Sequence, residues 1–423
     1  MSTATDQTLG GLGPGRRRLA ALLSEAAELE HALLCQYLHA YLSLKRSVAE
    51  GVNWQQLELM RQWGASVLLI ARQEMEHLGL VSNLLTAIGE APRLSRPDFP
   101  LGPRAYDLGI PFRLEPFGLE ALRRFIFFEM PAQPAGADLK RLQALDESAP
   151  ERNSIALLYD EISELLSALD GPDLFIGPPG AQYTTPAIIP VPIRGVQTPN
   201  HPVYDVYLTA VTDLESAQAT VAQIVLEGEG TPGDSPTSHF ARFCDMFEQL
   251  QQQLRADPGF DPARPVVADP CAPAAVTVAS SLAVRDLFDF AYATILLLLH
   301  RFFAHADESR AELAALQAAV FFPMMTGVLR PLGEVCTQLP AHADGATTAA
   351  PTFSYARDIA LLPHRRSAWM VISGCLDSLA DEAGALAADT ASYTPAVCAR
   401  LALVHQNLVR IARDFATNMR VGR

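Results

Sequence analysis

Apolar residues recur at three- and four-residue steps near the start of the chain: Leu22/Leu23, Ala26/Ala27, Leu33/Leu34, Tyr37/Leu38 and Tyr41/Leu42. That period predicts a long amphipathic helix. A second is expected from about Trp54 to Ile88, stopped by Gly89. Shorter helical patterns follow at about Gly118–Met130, Ser154–Leu169, Tyr204–Leu226 and Ser238–Arg255. Pro131 ends the first of these, and Gly228-Glu229-Gly230 ends the third. Four more helices are expected at about 282–305, 308–337, 366–387 and 394–418.

The segments between them are loops by composition. Residues 90–117 are Pro-rich and read as a long wrapped connection. Residues 171–203 hold many Pro and Gly, and any β pairing is expected there, in the apolar stretch 187–193. The Pro-, Ala- and Asp-rich stretch 257–279 predicts a boundary, with one helical unit over 16–256 and a second over 280–420 packed on it. The fold class is therefore all-α.

Hydrophobic residues make up 49% of the 423 positions and charged ones 19%, enough for a large buried core. A net charge of −15 argues against nucleic acid and anionic membranes as partners. Six scattered Cys without a CxxC fit reduced thiols in the cytoplasm. No stretch reads as a signal peptide, and the run 293–299 is too short to span a membrane. Residues 1–15 read as a flexible tail.

The informative residues are acids and histidines where the helix pattern demands core. Glu30 has Ala26, Ala27, Leu33, Leu34 and Tyr37 on its face. An ionised carboxylate there needs a partner, a proton or a metal. Glu74 and His77 are three apart and share a face with Val67, Ile70, Val81 and Leu84. Glu129 follows Leu122, Phe125 and Ile126, Glu227 follows Ile224, and His239 opens a helix before Phe240 and Phe243. Four glutamates and two histidines form the ligand set of ferritin-like dimetal carboxylate bundles. Oxygen and imidazole ligands without thiolates suit iron, with manganese as the alternative.

Each residue alone has a plainer reading. Glu30 could pair with an arginine, Glu129 could cap a helix, and His239 could simply start one. Tyr37 and Tyr159 read as core aromatics that could also hydrogen-bond a ligand. Glu76 is expected to be solvated beside Arg72, and Glu229 to be a solvated or outer acid. Glu161 is a reserve for Glu129, and His300 and His305 read as core or surface residues.

The order of short motifs along the chain adds a resemblance. Leu29-Glu30-His31, Glu74-Met75-Glu76-His77-Leu78 and Asn83-Leu84-Leu85-Thr86-Ala87-Ile88-Gly89 carry it first. Phe128-Glu129-Met130-Pro131, Glu227-Gly228-Glu229-Gly230, Ser238-His239-Phe240 and 328–333 extend it. Together they resemble the ferritin-like domain family associated with iminophenylpyruvate dimer synthase of violacein-type biosynthesis. The resemblance implies a four-helix ferritin-like bundle with long inserted loops, followed by a further helical portion. It also implies Glu30, Glu74, His77, Glu129, Glu227 and His239 as ligands. With eleven residues between Glu227 and His239, the fourth bundle helix must be broken between them.

The function expected is that of a non-haem dimetal oxidase or oxygenase with two iron ions. It would act with dioxygen on a small, amino-acid-derived metabolite in a natural-product pathway. Glu30 and Glu129 would be terminal ligands and Glu74 and Glu227 bridges. The first rival is a metal-containing accessory or scaffold protein of a biosynthetic enzyme. Iron storage ranks last, because storage bundles are short chains. A homo-oligomer or a pathway enzyme as partner fits either leading reading.

Overall fold

The structure is a computed structural model that describes residues 13–145, 154–184, 206–230, 236–303, 307–355 and 360–419. The 187–193 stretch, His305 and residues 1–12 lie outside the described residues. Among the described residues there are helices and isolated β-bridges but no strand.

Two long helices form the backbone of the bundle. α1 spans Pro14–Ser43, with proline in its first turn, where its missing N–H costs nothing. α2 spans Trp54–Ala87, and the Asn53 and Gln56 side chains cap each other's backbone N–H groups at its start. The two run antiparallel: Tyr41 packs on Gly64 at one end, while Arg16 reaches Ile88 at the other. A Cβ at Gly64 would lie 3.3 Å from the Tyr41 ring, so glycine lets the helices close up here.

The other half of the bundle is built from four short helices. α3 (Leu119–Phe128) packs on α7 (His239–Ala256), and α5 (Ile155–Ala168) packs on α6 (Leu214–Gly228) and α1. Each remaining bundle helix is thus two pieces. The fourth is interrupted between α6 and α7, and the third is interrupted as well. Between α3 and α5 lies α4 (Gly136–Leu145), which the apolar pattern missed because only Leu142 of it is buried. α6 starts at Leu214 rather than near Tyr204. Asp213 and Ser216 form a capping box that fixes the start.

Four further helices follow: α8 (Ala279–Phe303), α9 (Arg310–Cys336), α10 (Arg365–Ala388) and α11 (Pro395–Met419). α10 and α11 form a hairpin, α10 lies on α8, and α9 runs along α8 and α11. The end of α9 also reaches α1, where a Cβ on Gly333 would lie 2.6 Å from Leu42. Among the described residues α9 is the one helix long and apolar enough to cross a membrane, with a mean hydropathy of 1.5 in a window 39% buried against the rest of the chain.

α9 is also irregular. Gln317–Phe321 and Met325–Leu329 are π-helical, and each stretch sits just ahead of a proline, Pro323 or Pro331. A proline inside a helix lacks the N–H for the i−4 carbonyl and clashes with it. Widening the preceding turn is a way to relieve that clash.

His39 on α1 is buried, with Nδ1 3.3 Å from the Pro351 carbonyl, and burial pushes its imidazole down to about 4. The unfolded chain takes up that proton near pH 6.5. The sign follows: the stability it contributes is present above about pH 6.5 and is lost as pH falls through about 4. His39→Gln should flatten the acid limb by up to about 1.4 kcal/mol per pH unit. Urea unfolding at pH 7 and pH 4.5 measures this, and equal acid losses in variant and parent would contradict it.

Candidate metal centre

Helix periodicity brings the first three residues together. α1 turns Glu30 inward and α2 turns Glu74 and His77 toward it, all three buried. The His77 Nδ1 lies 3.4 Å from Glu30 Oε2 and 3.5 Å from Glu74 Oε2. The second group comes from helix ends. Glu129 is the C-cap residue that follows α3 and His239 the first residue of α7. His239 Nδ1 lies 2.9 Å from Glu74 Oε1 and 3.5 Å from Glu129 Oε2. Glu30, Glu74 and His77 form one ligand group and Glu74, Glu129 and His239 another, sharing Glu74. The two imidazoles stack at 5.5 Å.

Glu227 is brought to the same cluster but stands to one side. Its Oε2 lies 3.4 Å from His77 Nε2 and accepts a hydrogen bond from Gln73 Nε2 at 2.8 Å. It belongs to neither group of three. Gln73 also places its Oε1 3.3 Å from His239 Nε2, so that nitrogen carries the proton and Nδ1 faces the carboxylates. Gln223 Nε2 reaches both Glu76, at 2.7 Å, and Glu227, at 3.3 Å.

Two tyrosines orient the outer acids. Tyr37 donates to Glu129 and Tyr159 donates to Glu30. Tyr37 packs against Phe125 and Phe243, which wall the site off from water. Gly228 leaves room for Glu129, whose Oε2 would lie 3.2 Å from a Cβ there.

Several neighbours differ from the sequence reading. Glu76 is fully buried rather than solvated, because α6 covers that side of α2 and offers Gln223. Glu229 is buried too. Burial and the nearby Glu129 push its carboxyl well above the usual range. Glu161 lies apart from the site, paired with Arg18 at 2.8 Å on the surface. Nothing in the spacing of Gln73 or Gln223 marks them as polar supports. The signal available was a glutamine one residue before Glu74 and another four before Glu227.

The electrostatics favour a cation. Burial first, and then Glu74, push the Glu30 carboxyl up to about 7. Burial pushes His239 down, but Glu74 and Glu129 outweigh it and hold the imidazole up to about 9. Glu129 and Glu227 sit at the negative C-terminal ends of α3 and α6, and His239 at the positive N-terminal end of α7. Every one of these placements disfavours the charged side chain alone. The buried Glu74 Oε1 and His239 Nδ1 lie 2.9 Å apart and His77 Nε2 lies 3.4 Å from Glu227 Oε2, but these contacts are not aligned as hydrogen bonds and the three atoms make none. Unpaired buried donors and acceptors are rare and costly, and these three converge on the carboxylates. Four carboxylates match the charge of two divalent cations. On these grounds the residues fit a metal pair.

Comparison with known proteins gives the family. A "Ferritin-like" family model matches residues 23–248, more than half of the chain. The chain is 31% identical to the 2-imino-3-(indol-3-yl)propanoate dimerase of Chromobacterium violaceum over 369 residues, 80% of this chain and 34% of that protein. It is 29% identical to the dichlorochromopyrrolate synthase of Lentzea aerocolonigenes over 410 residues, 87% of this chain and 39% of that one. The chain therefore spans little more than a third of the length of these curated relatives. A crystal structure of a ferritin-like protein from Caulobacter vibrioides superposes with a TM-score of 0.47 at 21% identity, covering 80% of this chain and 98% of that one. With its broken bundle, its inward acids and its family match, this chain belongs to the ferritin-like family.

Proposed function

We propose that the chain is a non-haem dimetal oxidase or oxygenase, with two iron ions as cofactor and a small amino-acid-derived metabolite as substrate. The observation that carries this reading is the pair of buried Glu/His groups sharing Glu74, with Glu74 Oε1, His77 Nε2 and His239 Nδ1 making no hydrogen bond. Glu30, Glu74 and His77 would hold one ion and Glu74, Glu129 and His239 the other, with Glu227 as the sixth ligand beside His77. When bound, such a pair supplies oxidation chemistry driven by dioxygen.

The chain's own residues do the rest. Tyr37 and Tyr159 hold Glu129 and Glu30 in place by hydrogen bonds. Gln73 fixes the His239 tautomer and the Glu227 carboxylate together. Phe125 and Phe243 keep water from the acids, which strengthens every charge interaction inside. A substrate class follows from the relatives' names, one of which acts on an indolyl imine of an α-keto acid. We therefore place the substrate among amino-acid-derived imines or their products in a natural-product pathway.

Exposed Met370 and Val371 on α10 and Leu403 and Val409 on α11 favour a second reading, an accessory protein that carries metal but works with a partner enzyme. Anaerobically iron-loaded protein mixed with dioxygen, with and without candidate imines, separates the two. Product formation in one turnover supports the enzyme. Iron oxidation with every candidate returned unchanged supports the accessory protein, and an iron content far above two per chain would favour storage.

A further inference from the structure

A second cavity lies on the other side of α1 and α2 from the acids. Its walls are Leu34 and Leu38 of α1, Met75 and Leu78 of α2, and the facing residues of α8 and α9. None of the six candidate ligands lines it. Neighbouring residues of α1 make the division plain: Glu30 meets Tyr159 of α5, while His31 meets Tyr292 of α8.

The sequence builds this space through the irregular α9. Gln317, Phe321, Met325 and Leu329 all line it, at intervals of four. In a regular helix of 3.6 residues per turn, such a series winds around the axis by about 40° at each step. The two π-helical turns widen the repeat toward four, so these side chains form a straight stripe facing α8 and α1. π-turns inside helices are frequent at functional sites.

The lining dictates the chemistry of the occupant. It carries no Asp, Glu, Lys or Arg, so a charged ligand would lose its hydration without compensation. The cavity volume is about 100 Å³, whereas an apolar cavity of ~150 Å³ takes benzene. The flexible Met75 and Met325 can adjust to make up the difference. That admits one ring and no more. His31 is already engaged, through Nδ1 with the Leu94 carbonyl at 2.9 Å and through Nε2 with Tyr292. Gln317 Oε1 accepts from Tyr183 Oη at 2.6 Å, which leaves the Gln317 NH₂ as the donor for a ligand.

We propose that this cavity is a binding site, separate from the metal centre, for a neutral single-ring aromatic molecule carrying one hydrogen-bond acceptor, such as a phenol. The test uses ¹⁹F NMR of the full chain with 4-fluorophenol, fluorobenzene and 4-fluorobenzoate. The first two bind in the millimolar range or tighter, and the benzoate binds more than about tenfold more weakly, because its charge must be buried. Gln317→Leu keeps the shape and lowers 4-fluorophenol affinity about fivefold while sparing fluorobenzene, as loss of one neutral hydrogen bond requires. Met325→Trp fills the space and abolishes binding of both, with the metal content of each variant unchanged. No saturable binding to the parent chain overturns the proposal. So does 4-fluorophenol binding that Gln317→Leu leaves as it was.

Discussion

Glu74→Ala is expected to empty both metal positions at once, the largest loss of any single change in the site. Glu74 is the only residue common to the two ligand groups, with Oε2 toward His77 and Oε1 toward His239. Removing it takes a carboxylate from each ion and leaves each group with one acid and one imidazole. His239→Ala is expected to do half of this, lowering the content by about one ion and leaving Glu30, Glu74 and His77 to hold the other, with transition-metal sites being sensitive to ligand number. Both variants should keep their helix content, since α2 and α7 are fixed by their other apolar residues. Elemental analysis after loading, beside circular dichroism, measures this. Two ions retained in Glu74→Ala would show that the metals lie elsewhere. Glu227→Ala belongs in the same series. Its carboxylate is held by two glutamines and faces His77 from outside both groups, so its loss should weaken one ion rather than remove it.

Stripping metal from the loaded protein is expected to lower the melting temperature by about 6 °C. Free metal at 100 times its dissociation constant contributes about 2.7 kcal/mol for each site by linkage. For a chain of 423 residues, an unfolding entropy of about 2.1 cal/mol/K per residue converts two such sites into that shift. The direction has a structural cause. Without a cation, Glu30 must hold a proton or face Glu74, and burial and Glu74 together already push its carboxyl up to about 7. Thermal melts with and without a chelator read the effect. An unchanged midpoint at saturating chelator would remove the metal from the account of stability.

Much of the site was legible because helix phase is written in the sequence. Glu30, Glu74 and His77 sit on faces that are otherwise apolar, and that conflict between burial and charge can be read without coordinates. The interruption of the fourth bundle helix was legible too, from the glycines on either side of Glu229. The matching interruption of the third helix was marked by Pro131, but the extra helix inside it was not. Pro131 ends α3 visibly, but α4 has only a single buried residue to announce it. The buried state of Glu76 was hidden for a different reason. Its face of α2 becomes interior only when α6, more than a hundred residues away, lies across it and brings Gln223. The cavity behind α1 and α2 was equally unreadable, because the chain pattern records that α9 is apolar but not that two prolines widen its turns.

The interruptions of the bundle have a consequence for how such a site can vary. Two residues twelve positions apart on an unbroken α-helix differ by about 120° in direction, so Glu227 and His239 would not share a face. Here α6 ends at Gly228 and α7 starts afresh at His239, so the angular phase is not carried from one to the other. Their sequence separation is thereby freed from the pitch of the helix. Insertions or deletions between residues 229 and 237 could change the length of that connection while both side chains still aim at the same place. The same freedom holds between Glu129 and Tyr159, where α4 occupies part of the gap. A search for paired Glu-x-x-His patterns would pass over a centre of this kind, since only one such pair survives in it.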